Sequence, residues 1–208
     1  MVDKQIEMLQ AALDKNPAAL CLAALDSKAA IPLLEEGSNR RHPGRRLRLW
    51  RRQRHPGRPR PPRTTSPRPA LAADKMAELI GGEGQVAVLV HDQTSRTGID
   101  RRDGFVNSIE AKYPKIEIVD IQYGGGDQLK STDLAKAIIQ AHPNLKGFFG
   151  ANEGSIIGVL NAVKELGKEG KITVIGYDSG KQQMDAIRER RRGRRDHAGP
   201  DWHWLQVR

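Results

Sequence analysis

At 208 residues the chain is long enough to bury a core, and it holds no apolar run long enough to span a bilayer. Its one cysteine, Cys21, excludes an internal disulfide and a cysteine-based zinc site. The net charge of +10 is confined to two stretches, because Arg40 to Pro69 carries 12 Arg and no acid and Glu189 to Arg208 carries 6 Arg against 3 acids. The remainder holds 17 basic and 22 acidic residues, which excludes a globule that is basic throughout.

The first residues, with Ile6, Leu9 and Leu13 apolar at helical spacing, read as an amphipathic helix over 5–14 rather than a secretory signal. Asn16-Pro17 ends it. The run Ala18 to Leu25 reads as a strand buried on both faces, with Cys21 a small buried hydrophobe. Asp26-Ser27 then offers a helix N-cap, and a helix begins over Ala29 to Glu36.

A strand is due next, but the chain turns to Arg and Pro. Seven of its 12 Pro lie between 43 and 69. A regular strand is excluded there, and the composition predicts disorder.

From Ala70 the alternation resumes. A helix is expected over 71–80, ended by Gly81-Gly82. Strand 85–90 (Gln85-Val86-Ala87-Val88-Leu89-Val90) leads through a polar Asp-Gln-Thr-Ser turn into helix 97–112. Strand 116–121, a glycine turn at Gly124–Gly126, helix 128–141 broken at His142-Pro143, strand 147–149, helix 154–166, strand 172–176 and a helix starting near Lys181 come next. Strands alternating with helices of this length predict an α/β fold with a doubly wound parallel sheet. In such a sheet ligands sit beyond the carboxyl ends of the strands, which directs attention to the turn after strand 85–90 and to Arg101.

Three segments carry a resemblance: Thr97-Gly98-Ile99-Asp100-Arg101-Arg102-Asp103-Gly104-Phe105, Ala141-His142-Pro143-Asn144-Leu145-Lys146-Gly147-Phe148-Phe149-Gly150-Ala151-Asn152-Glu153, and Val174-Ile175-Gly176-Tyr177-Asp178. In this order they resemble the ribose-binding-protein-like branch of the periplasmic sugar-binding proteins, which share a fold with the effector domain of LacI-type repressors. Residues 3–36 are similar to that family's second helix, second strand and third helix. The resemblance spans about 150 residues. It implies a two-lobe fold, incomplete here, with 1–36 a fragment of the N-terminal lobe and 70–188 the C-terminal lobe. The family's start, with a signal peptide and first strand, is expected upstream.

The two basic stretches have a coding explanation. In the family the third helix is followed by a strand similar to GIPVVAFDSG and later by TDN. Residues 41–57 can be written in synonymous codons whose next frame reads GIPVVAFDSGVDSDIPV, and residues 62–69 in codons that from the third base read TDNKPAA. Residues 188–208 can likewise be encoded so that the next frame reads ASGVVAGAITQDPTGIGYKSV. Segments 37–69 and 189–208 are therefore read as out-of-frame translation. The competing reading makes them genuine nucleic-acid-binding tracts acting through counterion release, with Trp50 available to stack on bases.

The resemblance implies a monosaccharide ligand, pentose or hexose, delivered to the membrane permease of an ABC importer by a monomeric periplasmic protein. No catalysis, cofactor, metal or nucleic acid is implied. As written, the chain is expected to bind sugar poorly and to fold incompletely. The alternative is the sugar-sensing effector domain of a LacI-type repressor, which requires a DNA-binding segment upstream.

The ligand-binding candidates are Arg101, Asn152 and Asp178, each placed by resemblance. A sugar needs planar, multidentate groups that bond adjacent hydroxyls. Each candidate has a plainer role to set beside it. Arg101 could pair with Asp100 or Asp103 on an exposed helix face, and Asn152 and Asp178 could each cap the helix beyond it. Arg102, about 100° round the helix, is expected to be solvated. Tyr177 and Phe149 are expected in the core, and His91 lacks the partners of a catalytic or metal site. The Gly124–Gly126 run lacks the context of a dinucleotide fingerprint.

Overall fold

Val86, Val88 and Val90 point to one face of their strand and Ala87 and Leu89 to the other, and all five are fully buried. A strand buried on both faces needs helices above and below it. That is what a computed structural model of the chain contains. It describes residues 2–17, 20–26, 28–39, 67–178, 180–181, 183–185 and 206–207. Contacts divide the chain into two units, Met1–Arg63 with Thr94–Arg96 and Thr64–Gln93 with Thr97–Arg208.

In the first unit, α1 (Val2–Asp14) and α2 (Ile31–Asn39) enclose a small cluster of Leu9, Leu13 and Ala30. The strand expected over 18–25 does not form across residues 20–24, which belong to no helix or strand. Among the described residues of this unit there is no strand to pair with it. Leu20, Leu22 and Ala24 pack on the cluster instead, and the alternate positions face outward. Cys21 is one of these and is exposed, contrary to the buried position expected for it. Asp26 does cap the turn before α2: its Oδ1 accepts from the amides of Lys28 (2.7 Å) and Ala29 (2.8 Å). These two bonds, Ala29 first, hold its carboxyl below the ordinary value.

The second unit is a parallel sheet in the order β2-β1-β3-β4-β5. Its elements are α3 (Pro67–Ile80), β1 (Gly84–Val90), α4 (Arg96–Lys112), β2 (Ile116–Tyr123), α5 (Gln128–Ala141), β3 (Leu145–Gly150), α6 (Glu153–Glu165), β4 (Thr173–Tyr177) and β5 (Gln206–Val207). The strand partners are parallel throughout. α3 and α4 pack on one face through Met76, Phe105 and Ile109; α5 and α6 pack on the other through Ile138, Ile156 and Val163. Each fully buried Val, Leu, Ile or Phe contributes about 1.5–3 kcal/mol, so the two clusters hold the sheet between its helix layers. The doubly wound expectation holds.

Several boundaries differ by one to four residues, two of them with a visible cause. α3 begins at Pro67 rather than residue 71, and Pro69 lies against Gly104 of α4, where a Cβ would come within 2.8 Å of it. β2 runs two residues beyond Ile121, because Tyr123 continues the register opposite Val90. Gly81 and Gly82 end α3 as expected, both at positive φ, with the Gly82 amide donating back to the Ala77 carbonyl at 2.8 Å. Of the stretch 37–69 expected to be disordered, 37–39 close α2 and 67–69 open α3, whose first turn tolerates proline; residues 40–66 lie outside the described residues. So do Trp50, Trp202, Trp204 and most of the tail. Within that tail Gln206 and Val207 pair with Gly176 and Tyr177.

Candidate functional site

The chain leaves β1 toward β2 on one side and β3 on the other, so the strand order reverses between β1 and β3. Such a reversal opens a crevice at the carboxyl ends of the strands. His91 follows β1 there, Ala151 and Asn152 follow β3, and Asp178 follows β4. Arg101, in the second turn of α4, reaches across to them.

Arg101 makes three contacts. Its Nη1 donates to the Ala151 carbonyl at 2.6 Å, its Cζ lies 4.2 Å from the centre of the Tyr177 ring, and its Nη2 is 3.9 Å from Asp178 Oδ1. The platform beneath it is an aromatic column. Phe105, one helical turn after Arg101, stacks on Phe149 with centroids 4.1 Å apart, and Phe149 meets Tyr177 edge-on at 6.0 Å. Spacing of i to i+4 puts Arg101 and Phe105 on one face of α4, so burying the phenyl aims the guanidinium at the strand ends. Arg101 is thus not paired with Asp100 or Asp103. Phe149 and Tyr177 are buried as expected, and Tyr177 also carries the arginine.

Arg102 departs from expectation. Its Nε donates to Asp103 at 2.7 Å and its Nη1 to the Tyr123 hydroxyl at 2.8 Å. The extra length of β2 brings Tyr123 within reach, so Arg102 is half-buried rather than solvated. Asp103 first, then Tyr123, raises its pKa above the ordinary value.

Asn152 is the N-cap of α6: its Oδ1 accepts from the Ser155 amide at 3.0 Å. The plainer role therefore holds for the oxygen. Its Nδ2 lies on the side of Gly126, 3.7 Å from where a Cβ on that residue would stand. Asp178 has φ +71, a left-handed conformation uncommon outside glycine. Its Oδ2 accepts from the Glu153 amide at 2.9 Å, the first residue of α6, where the helix dipole favours an anion.

His91 lies among these groups. Burial holds its imidazole pKa below the ordinary value; Arg101 adds to that effect, and Asp92 and Asp178 oppose it. Its Nε2 is 3.4 Å from Thr97 Oγ1 and 3.6 Å from Asp92. Among the described residues, no group of His, Cys, Asp and Glu is placed to hold a metal ion, and no helix is long and apolar enough to cross a membrane.

The site therefore assembles Arg101, Asn152 and Asp178, from three separate segments, at one end of one sheet. It offers a planar cation on an aromatic face, a carboxylate and an amide. Sequence reasoning missed Gln183, which is fully buried and bonds Tyr177 and Gly180, on either side of Asp178. No periodicity or motif marks it.

Residues 69–191, more than half of the chain, match the family described as "Periplasmic binding protein domain". The chain belongs to that family. It is of the ribose-binding-like kind. The chain is 33% identical over 110 residues to the D-allose-binding periplasmic protein of Escherichia coli, covering 52% of the chain and 35% of the relative. It is 30% identical over 117 residues to the D-apiose import binding protein of Actinobacillus succinogenes, covering 56% and 37%. It also superposes on the crystal structure of an ABC transporter periplasmic solute binding protein from Actinobacillus succinogenes with bound D-allose. There the TM-score is 0.72 and the identity 25%, with 91% of this chain and 68% of that one covered. The chain thus matches little more than a third of the length of those two curated relatives.

Proposed function

We propose that this chain descends from the monosaccharide-binding component of an ABC importer and binds a pentose or hexose by lobe closure without catalysis. Arg101, Asn152 and Asp178 supply the C-terminal lobe's share of the polar contacts. The observation that carries this reading is the Arg101 guanidinium, held on the Tyr177 ring and by the Ala151 carbonyl at the strand reversal. A planar donor fixed before the ligand arrives loses little freedom on binding. The relatives' names for allose and apiose binding support the ligand class. In this reading the protein works outside the cytoplasmic membrane as a monomer, with the importer's permease as its partner and no nucleic acid.

The proposal extends to the basic segments. Residues 37–69 and 189–208 are out-of-frame translations of family-like sequence, and sugar binding is impaired in the chain that carries them. Polar groups they would have contributed are lost, and a sugar hydroxyl left without a partner costs the full desolvation of that group.

Calorimetry tests both parts. D-Ribose, D-allose and D-apiose are titrated into the chain as it stands. They are also titrated into the product of its coding DNA with the alternative frames restored at 41–57, 62–69 and 188–208. Saturable binding is expected only in the restored protein. Binding by neither overturns the sugar reading; equal binding by both overturns the impairment.

A further inference from the structure

Asp178 holds its carboxylate against α6 from a left-handed backbone conformation, which aspartate tolerates better than most residues but still at a cost. The support comes from six residues or fewer away. Gln183 is fully buried, and both ends of its amide are spent on residues that flank Asp178. Its Nε2 donates to the Tyr177 carbonyl at 3.0 Å and its Oε1 accepts from the Gly180 amide at 2.7 Å. One bond thus falls before Asp178 and one after it. The helical turn that carries Gln183 begins there too, with the Met184 amide donating to the Gly180 carbonyl at 3.0 Å.

Gly180 is also wedged against the first residue of α6. A Cβ on Gly180 would run into the Glu153 carboxylate, and the Glu153 amide is the donor that Asp178 accepts from. An apolar side chain of the same length would fill the Gln183 position but take these partners from the Tyr177 carbonyl and the Gly180 amide. A buried amide is costly unless bonded, and here both of its bonds go to residues that flank Asp178.

We propose that Gln183 is a positioning residue of the ligand site: through its bonds to Tyr177 and Gly180 it sets the Asp178 carboxylate against α6 and beside Arg101. The proposal rests on the sugar-binding reading for its effect on affinity, and on geometry alone for its effect on Asp178.

The test uses Gln183→Met and Gln183→Glu, in the chain as it stands for hydrogen exchange and in the frame-restored protein for affinity. The ligand-free readout is hydrogen exchange of the Glu153 amide, whose acceptor is Asp178, compared with the Val88 amide in β1. In Gln183→Met, Glu153 is expected to exchange about tenfold faster with Val88 unchanged, and affinity for the sugar that the parent binds is expected to fall about tenfold. Gln183→Glu guards against a variant that does not fold. Its acid form still donates to the Tyr177 carbonyl, and burial raises a glutamic acid's pKa. Protection of Glu153 should therefore return as the pH is lowered from about 8 to about 6. Unchanged Glu153 exchange in Gln183→Met, or in Gln183→Glu across that range, overturns the proposal. A parent that binds no monosaccharide overturns the sugar reading instead, and the exchange result still decides the role of Gln183.

Discussion

The Arg101 guanidinium lies over the Tyr177 ring at 4.2 Å while its Nη1 holds the Ala151 carbonyl at 2.6 Å. The two contacts fix a plane, and only a guanidinium satisfies both. Arg101→Lys keeps the charge but gives up the planar fork and the stacking. Monosaccharide affinity in the frame-restored protein is expected to fall about tenfold or more, with unfolding shifted by about 1 kcal/mol at most. Calorimetry and urea unfolding of the same preparation check the two halves.

Asn152 has two roles that separate by substitution. Asn152→Asp retains the oxygen that caps α6 and removes the Nδ2 donor. Stability should stay within a few tenths of a kcal/mol while sugar affinity drops. Asn152→Ala should cost about 1 kcal/mol in urea unfolding besides. Equal affinity in parent and Asn152→Asp would remove Nδ2 from the ligand shell.

His91 predicts a pH dependence of stability. Its pKa is lowered in the folded state, burial first, so as pH falls the unfolded chain takes up the proton before the folded one. The contribution to stability is complete above the ordinary histidine range. It is lost as pH falls through that range toward the folded-state value. Urea midpoints between about pH 8 and pH 5 should fall in the parent and fall less in His91→Asn. Asp74, whose pKa is lowered chiefly by its bond to Lys112, makes its contribution only above the carboxylate range, so the two effects occupy different windows.

Gly158 predicts a loss where helix propensity predicts a gain. It sits in α6 facing α5, and an added Cβ would meet the Ser131 side chain, the Ser131 carbonyl carbon at 2.7 Å and the Thr132 amide nitrogen at 2.8 Å. Gly158→Ala gains about 1 kcal/mol in propensity and is expected to lose about 1–3 kcal/mol to overpacking. A lower urea midpoint is the expected result.

The two units differ in how much of their structure was legible. Helix 128–141 matches α5 residue for residue, and strand 85–90 misses β1 by one. Their signals are local: a capping Asp127 whose Oδ1 takes the Lys130 amide, a Pro143 past the end, an unbroken apolar run. The run Ala18–Leu25 has the same apolar character as β1 and yields no strand over 20–24, because a ladder needs a neighbour and composition does not supply one. The burial of Arg102 was illegible for a related reason: its partner Tyr123 belongs to another strand.

The alternation of strands and helices in residues 70–185 and the doubly wound class were written in the sequence itself, while the three segments that meet at the site were marked only by resemblance to a family. Periodicity, caps and breakers act over a few residues and are written in the order of the chain. Tertiary structure decided what those residues touch. It put Arg101 on Tyr177 rather than Asp103, spent the Asn152 oxygen on a helix cap, and turned Asp178 left-handed under a buried Gln183. Each of these contacts is made by groups brought together when the sheet closes between its two helix layers, and no local pattern records which of them will meet.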